Sequence, residues 1–156
     1  MLTGQNSIGG HWVVNEYNSS TLIYTGNGYI VDDFKGDYIK VEFPKSFVLR
    51  KSSFVARSGF QYRCPGIFKI YGSHDGSVWT EIHHQSIRLN NPEEEFLINN
   101  TISYKYYGLS VNQLHSVYGG NSVVLNFTKW NMYAGNICID TDDILEGTTN
   151  LYSQWT

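Results

Sequence analysis

Two arginines and two aromatic residues fall within residues 57–63, and side chains of these types could recognise a sugar. The apolar face of a sugar ring stacks on an aromatic side chain, and a guanidinium group donates paired hydrogen bonds to hydroxyl or carboxylate oxygens. The candidate ligand-binding residues in this segment are Arg57, Phe60, Tyr62 and Arg63. The alternative is that the aromatic side chains pack against a neighbouring loop while both arginines are solvated.

Residues that could support catalysis form no recognisable arrangement. A hydrolase needs a nucleophile, a base and an orienting acid that converge, but the sequence has neither a Gly-x-Ser-x-Gly turn nor a His-Glu-x-x-His segment. His83 and His84 are adjacent in a strand-like segment, so their side chains should diverge. The consecutive glutamates 93–95 suit a solvated surface better than a glycosidase pair. We therefore predict that the protein is not an enzyme.

The acidic residues and cysteines indicate no metal centre. Asp32 and Asp33 would point to opposite faces of a strand, so we expect a solvated loop there, with calcium binding as the alternative. The acidic residues within 140–146 lack the spacing of an EF-hand. Cys64 and Cys138 are too few for a zinc cluster or a disulfide framework. We expect free, partly buried thiols, with a mutual disulfide as the alternative, and we predict no metal and no cofactor.

Alternating apolar and polar residues predict strands along most of the chain. Residues 37–43 alternate in this way and stop at Pro44, which has no N–H to continue a central ladder. Asp75 and Gly76 form a strong hairpin-turn signal. The predicted segments are 12–17, 22–24, 29–31, 37–43, 46–55, 67–71, 78–82, 104–114 and 123–133. About eight strands at spacings of about ten residues, without an amphipathic helix, predict an all-β sandwich or barrel.

Composition limits the class of protein and its partners. The 156 residues suit a single domain with one core, and only 16% of them are charged. A net charge of −3, without a long basic run, argues against a nucleic-acid partner. No segment approaches the roughly 18 consecutive apolar residues of a membrane helix, so we expect no membrane insertion. The N-terminal residues 1–10 lack the basic start and apolar core of a secretory signal.

Residues 65–82 read PGIFKIYGSHDGSVWTEI and resemble the discoidin family, also called the coagulation-factor C-type domain. The family carries Ser-x-Asp-Gly-x-x-Trp between two strands, matched here from Ser73 to Trp79. Residues 106–112 and 124–133 resemble later family strands in the same order. The resemblance implies an antiparallel two-sheet jelly-roll β-sandwich of about eight strands over residues 5–139. In such a sandwich Trp79 is large enough to plug the end of the core.

The resemblance also implies where a ligand would bind. Discoidin-like modules meet ligands with loops at one end of the sandwich, which correspond here to residues 24–34 and 57–63. Tyr29 and Phe34 on the first of these loops are therefore further candidate ligand-binding residues. Fucose-binding relatives carry an Asp where this chain has Gly59, so fucose specificity is not implied. The family's early calcium-associated segment has no clear match.

Residues 141–152 resemble a connector that recurs in phage tail-fibre proteins and in structural proteins of large DNA viruses. This resemblance implies that residues 140–156 form a polar connector or tail. It leads us to expect a non-enzymatic virion or phage module that binds cell-surface glycans or decorates the particle surface. The alternative is a pure assembly protein, minor capsid or fibre-associated, that uses protein–protein contacts only. Expected partners are other virion proteins or copies of the chain, and a glycan receptor. The expected location is the virion, with the extracellular surface as the alternative.

Overall fold

The computed structural model describes residues 2–4, 7–8, 11–12, 17–116, 124–134 and 137–140, with side chains for residues 17–116 and 124–134. The strands are β1 (Leu2–Gly4), β2 (Ser7–Ile8), β3 (His11–Trp12), β4 (Asp37–Phe47), β5 (Lys51–Val55), β6 (Pro65–Ser73), β7 (Thr80–Gln85), β8 (Phe96–Leu97), β9 (Tyr104–Leu114), β10 (Lys129–Ala134) and β11 (Ile137–Asp140). A 3₁₀ helix spans Gln61–Arg63. The predicted connector, residues 140–156, lies outside the described residues except for Asp140.

Two antiparallel sheets build the sandwich. The five-stranded sheet has the order β1-β4-β9-β6-β7, and the four-stranded sheet has the order β11-β10-β5-β8. Strands β2 and β3 form a separate two-stranded ribbon. Every strand pair is antiparallel, which confirms the predicted all-β, two-sheet antiparallel sandwich.

The core lies between the two sheets, where the alternation of the sequence places it. Ile39, Val41 and Phe43 of β4 are buried, whereas the alternating Tyr38, Lys40 and Glu42 are only partly buried and lie on the outer face of the sheet. Residues of one face of a strand repeat every second position, so this alternation sorts the strand into a core face and an outer face.

Aromatic rings join the two sheets across the core. Phe54 of β5 meets Phe68 of β6 edge-on, with ring centroids 5.2 Å apart at 88°. The Phe54 ring also lies 5.3 Å from the ring of Phe127, which precedes β10. Edge-to-face pairs of this kind stabilise a core by about 0.5–1.5 kcal/mol beyond the area that they bury.

The prediction that Pro44 ends its strand is wrong. Strand β4 continues to Phe47, with a register irregularity between Glu42 and Phe47 where it pairs with β9. Proline is tolerated at such a bulge because no ladder hydrogen bond needs its missing N–H. The predicted strand 46–55 is likewise divided, because β4 ends at Phe47 and β5 begins at Lys51 in the other sheet.

The short early strands are isolated bridges rather than strands. Segment 22–24 makes two such bridges, from Ile23 to Gln113 and from Tyr24 to Tyr17, and segment 29–31 makes one, from Tyr29 to Lys35. These segments lie along the five-stranded sheet and its rim instead of extending a ladder. Of the predicted segment 12–17, residues 13–16 lie outside the described part of the chain.

The expected role of Trp79 is wrong, since Trp130 is the tryptophan of the core. Trp79 is half-buried on the outer face of the five-stranded sheet, where its ring covers Gly108 beside Ile30. Trp130 is fully buried between the sheets, and its Nε1 donates a hydrogen bond to Oγ of Ser52 over 2.8 Å. The turn between β6 and β7 thus places the Trp79 side chain on the outer face of the sheet rather than in the core.

The sandwich has two rims that matter for binding. The near rim comprises residues 56–64, 86–95, 115–116 and 124–128, where β5, β7 and β9 end and where β6 and β10 begin. The far rim comprises residues 48–50, 74–79 and 98–103, at the opposite ends of the same strands.

Candidate functional site

The segment 57–63 forms a tight loop on the near rim. Gly59 has a φ of +82°, a conformation that favours glycine because it has no Cβ. The N–H of Phe60 donates to the carbonyl of Arg57 over 2.8 Å, and the N–H of Arg63 donates to the carbonyl of Phe60 over 3.0 Å. The loop therefore turns twice within seven residues and brings both arginines toward the same ring.

Neighbouring segments hold this loop on both sides. The N–H of Ser116, after β9, donates to the carbonyl of Tyr62 over 3.2 Å. The N–H of Asn126, before β10, donates to the carbonyl of Arg63 over 3.1 Å. Cys64 continues the attachment, since its carbonyl accepts from the N–H of His115 over 2.9 Å. The end of the loop is thus built into the sandwich by its backbone, which leaves its side chains to make other contacts.

Four predicted residues come together in this loop, and we call them the Arg–aromatic cluster: Arg57, Phe60, Tyr62 and Arg63. The guanidinium carbons of Arg57 and Arg63 lie 4.7 Å and 4.1 Å from the centroid of the Phe60 ring. The rings of Phe60 and Tyr62 are 6.0 Å apart at an angle of 53°. Each cation–ring contact contributes about 0.5–1 kcal/mol at an exposed site. The arginines therefore lie over aromatic rings of their own loop and are not simply solvated.

Tyr29 and Phe34 lie elsewhere. The Phe34 ring meets His84 edge-on at 5.7 Å, and Nζ of Lys69 lies 4.8 Å from its centroid. The Tyr29 ring lies under Nζ of Lys35 at 4.2 Å. These partners place Phe34 over the outer face of the five-stranded sheet and Tyr29 beside Lys35, just before β4.

The near rim contains a third fixed arginine, which sequence reasoning missed. Nη2 of Arg88 donates to Oε1 of Gln113 over 2.6 Å, and its Nε donates to the carbonyl of Leu114 over 3.0 Å. His115 is the next residue after Leu114, and its Nε2 lies 2.7 Å from the carbonyl oxygen of Leu89. No local pattern marks Arg88, because its partners are more than twenty positions away in the chain.

Of the glutamates 93–95, Glu94 and Glu95 are exposed, as expected of a solvated run, whereas Glu93 is partly buried. Oε1 of Glu93 accepts the N–H of Ala56 over 2.7 Å, which closes the backbone at the end of β5. Glu95 pairs with Lys51, with Oε2 and Nζ 2.7 Å apart.

Burial, together with the charge of Glu93, raises the pKa of the Cys64 thiol to about 12. Cys64 is a free, buried residue, and such a thiol is a poor nucleophile at neutral pH.

The paired histidines diverge, as predicted. The ring of His83 stacks on Phe96 at 4.9 Å and 24°, facing the core. The ring of His84 meets Phe34 on the outer face. Burial lowers the pKa of His83, and the neighbouring His84 lowers it further, although a hydrogen bond with Gln85 acts in the opposite direction. These two imidazoles therefore cannot act on one substrate.

Among residues 17–116 and 124–134, no three His, Cys, Asp or Glu side chains lie close enough to hold a metal ion. Asp32, the calcium alternative of the sequence, pairs with Lys35 over 3.3 Å. In the described part of the chain, none of the helical structure has the length and apolar character needed to cross a bilayer.

The fold is similar to that of several solved family 32 carbohydrate-binding modules. The family 32 module of Streptococcus pneumoniae EndoD aligns over 86% of this chain and 96% of its own, with a TM-score of 0.57 and 9% identity. A module from a family 31 glycoside hydrolase of Clostridium perfringens covers 86% and 91%, with a TM-score of 0.55 and 14% identity. A further Clostridium perfringens module, solved with GalNAc-β-1,3-galactose, covers 85% and 95%, with a TM-score of 0.53 and 14% identity.

No protein-family model and no curated protein matches the chain. At identities of 9% to 14% the likeness to solved structures shows a shared fold. It confirms, at the level of the fold, the discoidin-type sandwich expected from residues 65–82.

Proposed function

We propose that this chain is a non-catalytic module that binds a glycan at the near rim through the Arg–aromatic cluster. The observation that carries the proposal is the placement of two guanidinium groups over one ring, Phe60, at 4.7 Å and 4.1 Å. A loop that already holds its cations loses less conformational entropy when a ligand binds.

The chemistry of the cluster suits a saccharide. Arg57 is exposed, so its paired N–H donors are available to hydroxyl or carboxylate oxygens. Tyr62 is half-buried and offers a ring face with a hydroxyl at its end. Arg88 adds a third cation on the same rim, held by Gln113. An apolar ring beside several fixed donors is the combination that sugar rings require.

Structural neighbours support a saccharide as the ligand class. Similar modules have been solved with 4,5-unsaturated mannuronic acid, with GalNAc-β-1,3-galactose and with galactose. Gly59 stands where fucose-binding relatives of the discoidin family carry an Asp, so fucose is not part of the proposal. No cofactor is part of the proposal, and neither nucleic acid nor an inserted membrane segment is a proposed partner.

For the biological setting we propose a viral or phage particle, where the module binds a cell-surface glycan receptor or decorates the surface. The support is the resemblance of residues 141–152 to connectors of tail-fibre and large-DNA-virus structural proteins. The proposed location is accordingly the virion, with the extracellular surface as the alternative, and the further partners are other virion proteins or copies of this chain.

Pure assembly through protein–protein contacts is the competing function. An assembly interface needs a contiguous apolar patch. Among the described side chains, the exposed large apolar residues are Ile23, Tyr29, Val78, Ile87, Leu97 and Ile102. Only Leu97 and Ile102 fall on one short segment, and the scatter of the others favours ligand binding over assembly for this part of the molecule.

A glycan array followed by calorimetry on the best-bound glycan tests the proposal. We expect Arg57→Ala and Tyr62→Ala each to weaken binding by roughly tenfold or more, because each removes a charge-assisted or stacking contact. Tyr29→Ala is the matched control and should bind normally, since the Tyr29 ring packs under Lys35 and makes no described contact with the Arg–aromatic cluster. Near-ultraviolet circular dichroism verifies that each variant keeps the fold.

Two outcomes would contradict the proposal. The first is a wild-type chain that binds no glycan and forms a defined oligomer by light scattering, as assembly predicts. The second is glycan binding that persists in both cluster variants but is lost in Tyr29→Ala.

A further inference from the structure

A groove of about 610 Å³ opens at the far rim, on the opposite side of the sandwich from the Arg–aromatic cluster. It runs between the start of β5 and the segment that follows β8. Its volume lies in the range of about 300–1,000 Å³ that is usual for small-molecule clefts. We call it the far-rim groove.

The floor of the far-rim groove is a row of side chains on the outer face of the four-stranded sheet. Lys51 of β5 lies beside Leu97 of β8 on one side and beside Tyr133 of β10 on the other. Nζ of Lys51 is 2.7 Å from Oε2 of Glu95 and 4.5 Å from the centroid of the Tyr133 ring. Leu97 is 78% exposed. The floor thus combines an apolar surface with a cation that is already held in place.

The wall of the groove is a rigid loop. Nδ2 of the buried Asn100 donates to the carbonyl of Ile102 over 2.9 Å, and the N–H of Ile102 donates back to Oδ1 of Asn100 over 3.1 Å. The N–H of Ile98 donates to the carbonyl of Arg50 over 2.9 Å, which ties the loop to the start of β5. The loop therefore holds its shape without a ligand.

Three polar side chains on this wall are available to a ligand. Arg50, Asn99 and Thr101 are exposed and line the groove. Within the part of the chain that the structure describes, the side chains of these three residues make no hydrogen bond or ion pair with protein. The groove thus presents a guanidinium group, an amide and a hydroxyl to solvent, around a floor that contains Leu97.

We propose that the far-rim groove is a second binding site and that its ligand is an acidic saccharide. The carboxylate of a uronic acid residue would pair with the guanidinium of Arg50, because the planar fork matches a carboxylate with two parallel hydrogen bonds. Asn99 and Thr101 bind ring hydroxyls, and Leu97 contacts the apolar face of the ring. Lys51 contributes less, since Glu95 already compensates its charge. This site does not depend on the near-rim cluster.

The test is titration of the isotope-labelled full chain with trigalacturonate, followed by amide chemical shifts. The matched neutral probe is the methyl ester of the same trisaccharide, and triglutamate serves as a matched acidic peptide. We expect trigalacturonate to perturb residues 50–51 and 97–101, and Arg50→Ala to weaken this binding by about tenfold. Asn99→Ala should weaken it by a smaller factor. The methyl ester and triglutamate should both bind more weakly than trigalacturonate.

The control variant is Arg57→Ala, which should leave the far-rim titration unchanged. If trigalacturonate changes amide chemical shifts only at the near rim, the second site is overturned and the proposed function is supported. Equal binding of the methyl ester, equal binding of triglutamate, or an unaltered affinity in Arg50→Ala would overturn it as well. Another outcome is that trigalacturonate changes the amide chemical shifts of the far rim although the wild-type protein binds no glycan at the near rim. That result would support the second site and contradict the proposed function.

Discussion

The guanidinium carbon of Arg63 lies 4.1 Å from the centroid of the Phe60 ring, three positions earlier in the same loop. The backbone of Arg63 is fixed at the same time by the N–H of Asn126. A cation that is held by both its ring partner and its backbone has a restricted set of orientations. Phe60 therefore supports the arginines and need not itself contact the glycan.

Replacing Phe60 by alanine tests this supporting role. Phe60→Ala removes the ring beneath Arg57 and Arg63. Both guanidinium groups must then be ordered when the glycan binds, at about 0.5–1.5 kcal/mol per side chain, so the glycan affinity should fall by roughly tenfold. Phe60→Trp keeps an aromatic face and should retain most of the affinity. Calorimetry with the glycan selected on the array measures both variants. Wild-type affinity in Phe60→Ala would show that the arginines need no ring support.

Gly108 and Ile30 offer a test of how the outer face of the five-stranded sheet is covered. A methyl group on Gly108 would come 2.6 Å from Cδ1 of Ile30 and 3.2 Å from the Trp79 ring. Cδ1 is the end of a flexible side chain and can shift, but the Trp79 ring limits the space, so Gly108→Ala should lower the free energy of unfolding by about 1 kcal/mol. Urea denaturation followed by tryptophan fluorescence measures the change.

The second variant in this series isolates the clash. Ile30→Val removes Cδ1, so the double variant Gly108→Ala with Ile30→Val should recover part of the lost stability, which is a non-additive result. If the changes in unfolding free energy of the two single variants simply add in the double variant, the Ile30 side chain does not lie over Gly108.

His83 makes the stability depend on pH. Burial against Phe96 lowers the pKa of His83, so the unfolded chain binds this proton more readily than the folded chain does. The free energy of unfolding should therefore fall as the pH drops through about 6.5, the ordinary histidine value, toward the lower pKa of the folded state. Above about 6.5 this contribution is fully present.

His83→Phe tests whether His83 causes this pH dependence, because the variant keeps an aromatic ring against Phe96 and cannot titrate. Urea denaturation from about pH 7 to about pH 5 should show a smaller pH dependence in His83→Phe than in the wild type. His84→Asn is the comparison, because His84 is exposed on the other face and lowers the pKa of His83 less than burial does, so it should reduce the pH dependence by a smaller amount than His83→Phe. The reverse pattern would assign the proton to His84.

Features that depend on neighbours in the chain were predictable from the residues alone. The alternation of Ile39, Val41 and Phe43 predicted the core face of β4, since side chains of a strand alternate between its faces. Asp75 and Gly76 predicted a turn, and Oδ1 of Asp75 indeed accepts two backbone N–H groups after it, which lowers its pKa. The Arg–aromatic cluster was predictable for the same reason, because its members lie within seven residues.

Features that depend on which strands become neighbours were decided only by the tertiary structure. Trp79 and Trp130 look alike in the sequence, and the sheet order places Trp130 in the core, where Ser52 accepts its N–H. The far-rim groove joins Arg50 to Asn99 because β5 and β8 pair, although nearly fifty residues separate them. Local alternation specifies the face of each strand, but it carries no information about the partner strand. Long-range pairing follows from burying all the apolar faces at once, and this sets the rims where ligands can bind.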